Sequence, residues 1–151
     1  MRIAIGSDHG GYRLKEFLKG ALVADFELRD YGTDTEDSAD YPIFAARVAN
    51  AVAGGDCDFG IAICTTGIGV SIAANKVRGV RAALCCDIER VKMSRRHNNA
   101  NVLCFGAGYV EPKTALEMAR AFFSTDFDGI KTGQERHARR VEEITDIEMN
   151  R

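Results

Sequence analysis

The segment FGIAICTTGIGVSIAANK, residues 59–76, decides the fold that we predict for this chain. Its first six residues, Phe59–Cys64, are almost all apolar and end at a cluster of small residues, as a buried strand of a parallel sheet does. Threonines and glycines then lead into apolar residues at helical spacing, so we predict a helix over 67–76. A strand followed directly by a helix is the repeating unit of α/β proteins.

The same unit repeats on both sides of this segment. We predict further strands at residues 2–6, 26–31, 80–86 and 101–105, and further helices at 12–23, 41–52, 87–96, 112–123 and 134–150. Alternating strands and helices indicate a parallel sheet covered by helices on both faces. The sequence therefore predicts a single domain over residues 1–151, a Rossmann-like three-layer α/β/α sandwich with a five-stranded parallel sheet.

Composition excludes several classes of protein. A net charge of −2 disfavours a nucleic-acid binder, and no apolar run approaches the ~18 residues of a membrane span. Five cysteines without a CxxC pair and three scattered histidines disfavour a metal site. The amino terminus lacks a secretory signal, so we expect reduced thiols and a cytoplasmic protein.

Ligands of doubly wound sheets bind outside the carboxyl ends of the strands. The residues that follow three predicted strands, 7–11, 64–69 and 106–108, are therefore the first candidates for chemistry. The loop at 64–69 can surround an anion with backbone N–H groups and would make the Cys64 thiol a better base or nucleophile. The alternative is a structural cysteine beside a tight turn, and spacing alone leaves both open.

Three other chemistries fit this loop poorly. A dinucleotide site needs a third glycine where Ile72 stands, although Gly67 and Gly69 match the first two. A phosphate-binding P-loop needs a Gly-Lys-Ser/Thr sequence, which the chain lacks. A cysteine phosphatase with a C-x5-R loop would need arginine at position 70, which is Val70.

Three further clusters carry groups that can bind or move protons. Asp8 and His9 follow the first strand, where they can bind phosphate, shuttle a proton or cap a helix. The polar run RRHNNAN at 95–101 can hydrogen-bond sugar hydroxyls or form an ordinary turn. Arg136 and Arg140 share one helix face and can clamp a phosphate or form a solvated basic surface.

These motifs resemble the ribose-5-phosphate isomerase B family, which also includes the galactose-6-phosphate isomerase subunits. The matching segments are GSDHGG at 6–11, DYP at 40–42, ICTTGIGVSIAANK at 63–76, GVRAALC at 79–85, RRHNNANVLCFG at 95–106 and RHARRVEEI at 136–144. The resemblance implies a homodimer or tetramer whose active sites draw on both subunits, no cofactor, and a sugar phosphate as substrate. The final helix, about 134–150, has Val141, Ile144 and Ile147 on one side, so it is a candidate dimer interface; the alternative is that it closes the core of its own subunit.

The resemblance also implies a reaction and its residues. An aldose–ketose isomerase would interconvert D-ribose 5-phosphate and D-ribulose 5-phosphate through a cis-enediolate, with Cys64 as the proton-transfer base. Thr66 would assist at the reacting carbons, and Asp8 and His97 would open the furanose ring. The positions that match substrate or phosphate binding are His9, Tyr41, Gly67, Ile68, Gly69, Val70, Asn98, Arg136 and Arg140.

Two departures from the family pattern bear on the substrate. Thr65 stands where the family usually has glycine, and Gly108 stands where many members have a phosphate-binding arginine. If position 65 requires a positive φ, threonine is strained there; otherwise its β-carbon narrows the pocket. The alternative functions are an isomerase of allose 6-phosphate, galactose 6-phosphate or a tetrose phosphate, and a non-catalytic sugar-phosphate sensor.

Overall fold

The computed structural model describes residues 1–150. It contains five strands: β1 (Arg2–Ser7), β2 (Glu27–Asp30), β3 (Phe59–Cys64), β4 (Ala82–Leu84) and β5 (Val102–Gly106). It contains six α-helices: α1 (Tyr12–Leu22), α2 (Tyr41–Ala53), α3 (Ile68–Ala74), α4 (Ile88–Asn98), α5 (Pro112–Ser124) and α6 (Glu135–Met149). The predicted strand–helix alternation and the α/β class are confirmed.

The strands form one parallel sheet in the order β2-β1-β3-β5-β4. Side chains alternate along each strand, so the sheet has two apolar faces. Large residues such as Ile5, Ile63 and Phe105 pack with α1, α4 and α5 on one face. Smaller residues such as Ala62 and Cys104 pack with α2 and α3 on the other face. The sheet is therefore buried between two helical layers, as predicted.

The edge strand β4 is shorter than the predicted 80–86. The side chains of Asn101 and Asn75 accept the backbone N–H groups of Arg81 and Ala82, at 2.8 and 2.9 Å. These side-chain bonds replace ladder pairing at the start of the strand. Asparagine is favoured in such local side-chain-to-backbone bonds.

Helix α4 runs two residues beyond the predicted 87–96. Asp87 caps its start, as predicted, because its Oδ1 accepts the Arg90 N–H at 2.8 Å. Asn99 ends the helix with φ 47° and ψ 42°, the left-handed conformation that asparagine tolerates. His97 and Asn98 therefore lie on the last helical turn instead of in the connecting turn.

Two short 3₁₀ turns occur in segments for which no helix was predicted, at His9–Gly11 and Asp128–Ile130. Helix α6 contacts the second turn and α4. His137 is the only buried residue of this helix, and Ile144 and Ile147 are exposed. The placement of α6 at a dimer interface stays a prediction.

Candidate active site

The carboxyl ends of β1 and β3 lie side by side where the chain reverses its direction of strand addition. Ser7 at the end of β1 is in register with Ile63, so the next residues, Asp8 and Cys64, are neighbours at this edge. Ligands of doubly wound sheets bind at this topological position. The structure therefore brings together 7–11 and 64–69, and hydrogen bonds from Ala107 and Gly108 to the Cys64 and Thr65 carbonyls add the third predicted segment, 106–108.

The Cys64 sulfur receives a hydrogen bond from the backbone. The Gly67 N–H donates to Cys64 Sγ at 3.1 Å, and the Cys64 side chain is almost completely buried. A backbone donor therefore holds the sulfur in place beside the loop. Of the five cysteines, Cys64 alone accepts a backbone N–H.

Gly67 can hold this position only as glycine. Its φ is +76°, and a β-carbon there would lie 2.7 Å from the Gly106 nitrogen and 2.7 Å from the Phe105 carbonyl carbon. Both the backbone conformation and the close approach of β5 therefore exclude a side chain. The turn that aims the Gly67 N–H at Cys64 is fixed by this packing.

The rest of the loop supplies one hydroxyl and two free amides. Thr66 Oγ1 accepts the Ile68 N–H at 3.3 Å. Among residues 1–150, the N–H groups of Gly69 and Val70 donate to no protein acceptor. Of the four amides at 67–70, the predicted substrate-binding positions, two are therefore engaged within the loop and two are free among the described residues.

Asp8 and His9 are held beside this loop. Asp8 is buried, and its Oδ1 accepts the Gly11 N–H at 3.1 Å, which caps the 3₁₀ turn. His9 Nδ1 lies 3.1 Å from the Ala39 nitrogen and 3.3 Å from the Ala39 oxygen. The backbone of Ala39 can therefore fix the ring of His9 in either tautomer, and His9 Nε2 stays unengaged.

Tyr41 reaches the same loop from the start of α2. A β-carbon on Gly69 would lie 2.6 Å from the Tyr41 ring, so the ring covers the backbone there. Tyr41 remains part exposed, with 39% of its surface accessible. Tyr41, a predicted substrate-binding residue, therefore lies over the 64–69 loop at Gly69.

Thr65 is not strained. Asn99 is the only non-glycine residue with positive φ among residues 1–150, so the expectation of a strained Thr65 is wrong. Thr65 Oγ1 instead fills the space in front of Gly10, where a β-carbon would collide with it. The second expectation, a pocket narrowed by this side chain, fits this geometry.

The other cysteines have different environments. Burial raises the pKa of Cys57 and of Cys104, and raises the pKa of Cys85 to about 11. These three thiols therefore stay protonated near neutral pH. Cys86, unlike its neighbour Cys85, is exposed, and its sulfur accepts a hydrogen bond from Arg90 Nη1 at 3.3 Å.

Four predicted site residues lie near the amino ends of the strands, which we call the amino edge of the sheet, whereas Cys64 lies at the carboxyl ends, the carboxyl edge. The four are His97, Asn98, Arg136 and Arg140. Helix α4 starts after the carboxyl end of β4 and returns to the amino end of β5, a path of ~15 Å at 1.5 Å per residue. His97 and Asn98 occupy its last turn. They are therefore far from Cys64 of the same chain.

His97 stacks on a residue that sequence reasoning did not select. Its ring lies 4.2 Å from that of His137 with an interplanar angle of 7°. His137 is buried, and neither of its ring nitrogens has a hydrogen-bond partner among residues 1–150. Its position beside Arg136 in the basic motif was the only signal in the sequence.

Arg136 and Arg140 are exposed and pair with no carboxylate among residues 1–150. Arg136 donates only to the Gly133 carbonyl at 3.4 Å, and Arg140 makes no ion pair among the described residues. Arg96, in contrast, bonds Asp128 at 2.8 Å. The two arginines that the sequence assigned to phosphate are thus available to an anion.

Clefts flank both groups of residues. One of about 410 Å³ borders His9, and another of about 400 Å³ borders Thr66 and Ile68. A groove of about 440 Å³ separates Asn98 from the exposed isoleucines of α6. Each is large enough for a small phosphorylated metabolite.

Among residues 1–150, no group of three or more His, Cys, Asp or Glu side chains is arranged to hold a metal ion. No helix in this part of the chain is long and apolar enough to span a membrane.

Known proteins resemble the chain over its full length. A family model described as Ribose/Galactose Isomerase matches residues 3–144. Ribose-5-phosphate isomerase B of Escherichia coli strain K12 is 44% identical over 151 residues, which cover 99% of this chain and 98% of the relative.

Two solved structures share the fold. Ribose-5-phosphate isomerase B of Clostridium thermocellum matches with a TM-score of 0.94 and 46% identity, over 99% of each chain. The Mycoplasma genitalium enzyme of the same name, solved with bound ribulose-5-phosphate, matches with a TM-score of 0.90 and 38% identity, over 99% of this chain and 97% of that one.

Fold, site and relatives together define the class of this protein, which is an aldose–ketose isomerase of Rossmann-like architecture. Within that class, the chain belongs to the ribose/galactose isomerase family.

Proposed function

We propose that the protein interconverts D-ribose 5-phosphate and D-ribulose 5-phosphate. The relatives from E. coli, C. thermocellum and M. genitalium are all ribose-5-phosphate isomerases B. The observation that carries the proposal is the hydrogen bond from the Gly67 N–H to the buried Cys64 sulfur at the switch point of the sheet. The five free thiols suit the reducing cytoplasm.

Cys64 acts as the base in this proposal. Once the sugar is open, the thiolate removes the proton from C2, and the electron pair moves to form the cis-enediolate. The thiol then returns the proton to C1, while a proton passes from the C2 oxygen to the C1 oxygen. The aldehyde becomes an alcohol and the C2 alcohol becomes a ketone, so the reaction balances without a cofactor.

The enediolate oxygens need donors that are already in place. The free amides of Gly69 and Val70 and the hydroxyl of Thr66 are the candidates at this edge. Loss of one such donor in other enzymes lowers kcat by about 100- to 1,000-fold. Asn98 is the fourth candidate donor, from the other edge.

Ring opening requires one group that takes the C1 hydroxyl proton and another that protonates the ring oxygen. Asp8 and His97 are the proposed pair. Because these residues lie at opposite edges of one chain, the proposal requires two copies. Cys64 and Asp8 of one subunit would then face His97 and Asn98 of the other, in a homodimer or a larger assembly.

Phosphate binding is assigned to three side chains that pair with no carboxylate among residues 1–150. In that part of the chain Arg136 donates only to the Gly133 carbonyl, Arg140 makes no ion pair, and nothing bonds His9 Nε2. Arginine pairs bind phosphate through several charge-assisted hydrogen bonds. This assignment leaves Gly108 without a direct role.

Thr65 bears on the choice among phosphosugars. Its hydroxyl fills the space in front of Gly10, so it takes up room beside the cleft that His9 and Gly10 line. A pentose phosphate is shorter than a hexose phosphate by one carbon. We therefore expect ribose 5-phosphate to be turned over faster than allose 6-phosphate or galactose 6-phosphate.

The test is a rate measurement on the purified chain with these three sugar phosphates. Ribose 5-phosphate should react fastest, and Cys64→Ser should lower its kcat by about 100- to 10,000-fold, the usual range for a general base. Cys57→Ser is the matched control, because that thiol precedes β3 and so lies at the opposite end of this strand from Cys64. Turnover of the hexose phosphates alone, or full activity of Cys64→Ser, would contradict the proposal.

A further inference from the structure

The proposed reaction leaves one buried titratable group without a role. His137 lies in the first turn of α6 with only 3% of its surface exposed. Neither ring nitrogen has a hydrogen-bond partner among residues 1–150. Burial of polar atoms without partners is unfavourable, so this imidazole does not lie here for the stability of the fold.

The contact that His137 does make is the stack on His97. The rings are nearly parallel and their centroids are 4.2 Å apart. The ring of His97 makes no hydrogen bond to any described residue. The face of His137 is therefore the feature that fixes the plane of the His97 ring, and both His97 nitrogens remain free for a substrate.

The groups around His137 keep it uncharged. Burial lowers the pKa of His137, and the nearby His97, Arg136 and Arg140 lower it further, whereas Asp128 opposes them. The negative charge of Asp128 is itself balanced by ion pairs with Arg96 at 2.8 Å and Lys131 at 2.6 Å. A neutral ring can stack on His97 without repelling a proton that His97 carries during catalysis.

We propose that His137 is a positioning residue that orients His97 for opening of the furanose ring. The proposal rests on the proposed function, because it takes from there the role of His97. The flat face of the His137 ring is the property that orients His97, since the His137 nitrogens bond no described residue. Small errors in the placement of a catalytic group lower rates by about 100-fold.

Two substitutions separate flatness from bulk. His137→Phe keeps a flat ring, whereas His137→Leu keeps an apolar side chain but removes the stacking face. Thr145→Ala serves as the control on the same helix, because Thr145 is exposed and bonds only the Val141 carbonyl.

The readout must isolate ring opening. Ribose 5-phosphate is cyclic and must open before C2 can lose its proton. Ribulose 5-phosphate cannot close a furanose ring because its C5 oxygen carries the phosphate. Exchange of its C1 hydrogen with deuterated water therefore requires the enediolate and bypasses ring opening.

We expect His137→Leu to slow ribose 5-phosphate isomerisation by about 10- to 100-fold while C1 exchange stays within about threefold of wild type. His137→Phe and Thr145→Ala should stay within about threefold of wild type in both assays. With only three histidines in the chain, the NMR signals of His97 can be assigned by substitution. They should move in His137→Leu and stay near their wild-type positions in Thr145→Ala.

Other results would overturn the inference. Normal isomerisation by His137→Leu would remove the positioning role, and equal loss of both activities would indicate a general defect. Equal damage by His137→Phe and His137→Leu would mean that the nitrogens act instead of the ring face. A wild-type chain inactive on ribose 5-phosphate would refute the proposed function itself, and unchanged His97 signals in His137→Leu would refute the stacking role separately.

Discussion

The two edges of the sheet hold the candidate site in different ways. At the carboxyl edge, backbone packed on backbone places Cys64, with Gly67 pressed against β5 and an N–H aimed at the sulfur. At the amino edge, contacts between side chains of two helices hold the predicted groups in place. There His97 stacks on His137, and the Arg96–Asp128 ion pair joins α4 to the segment before α6.

This difference predicts different sensitivities. A single methyl group added at Gly67 can disrupt the carboxyl edge, because it would meet the backbone of β5, which cannot move aside. The amino edge can tolerate changes of size and responds instead to shape and charge. Neither edge holds a complete set of the predicted groups. The first question is therefore whether the carboxyl edge of one chain and the amino edge of another form one site.

The largest expected effect tests whether two chains share one site. Cys64→Ser and His97→Gln should each lose most activity alone, by about 100-fold or more. When the two variants are co-expressed, half of the dimers should contain one chain of each. Each mixed dimer would regain one of its two sites, so activity should return to about a quarter of wild type.

Its control is a mixture of two chains that fail at the same edge. Cys64→Ser mixed with Asp8→Asn should stay inactive, because both residues lie at the carboxyl edge and no exchange restores one edge. Inactivity of the Cys64→Ser and His97→Gln mixture, measured with mixed dimers verified by mass, would contradict a shared site.

An intermediate effect tests the rigidity of the carboxyl edge. Gly67→Ala adds a β-carbon at a φ of +76° and 2.7 Å from the backbone of β5. The backbone conformation alone destabilises by about 1–3 kcal/mol, and the clash adds to this. We expect a fall in the free energy of unfolding, measured in urea, and a loss of kcat as the N–H leaves Cys64.

Gly55→Ala is the matched control for this substitution. Gly55 has a similar φ of +79°, but a β-carbon there meets no atom within 4 Å. It should show only the backbone effect, about 1 kcal/mol, with full activity. Equal losses in both variants would mean that the contact with β5 is unimportant.

The smallest expected effect concerns pH and the amino edge. The pKa of His137 is lower in the folded chain than the ~6.5 of an unfolded one, so between the two values the unfolded state binds more protons. Stability should therefore rise with pH in that window and fall on acidification below about pH 6.5. His137→Phe should flatten this slope in urea midpoints measured at pH 7.5 and 5.5.

Asp128 provides an internal reference for that experiment. Contacts with Lys131 and Arg96 lower its pKa, so its contribution is complete above the ~3.9 of an unfolded aspartate and disappears only as pH falls below that value. The two windows do not overlap. If stability still falls between pH 7.5 and 5.5 in His137→Phe, a group other than His137 causes that fall.

Local pattern predicted the parts of the site that adjoin strand ends. The apolar run of β3 predicted its strand limits, Phe59–Cys64, and so predicted where Cys64 would stand. The length of α4 was harder to predict, because its end depends on Asn99 in a left-handed conformation. The His137 stack was not predictable, since it joins residues 40 positions apart on two helices.

The sequence by itself determined the α/β class, the strand–helix alternation and the thiol at the end of β3, because periodicity and small residues act locally along the chain. Only the tertiary structure decided that the predicted groups divide between two edges of the sheet. The direction of each helix relative to its strand sets that division, and helix direction follows from how the whole sheet is assembled. The pairing of His97 with His137 depends on the same long-range packing, which residue patterns do not encode one segment at a time.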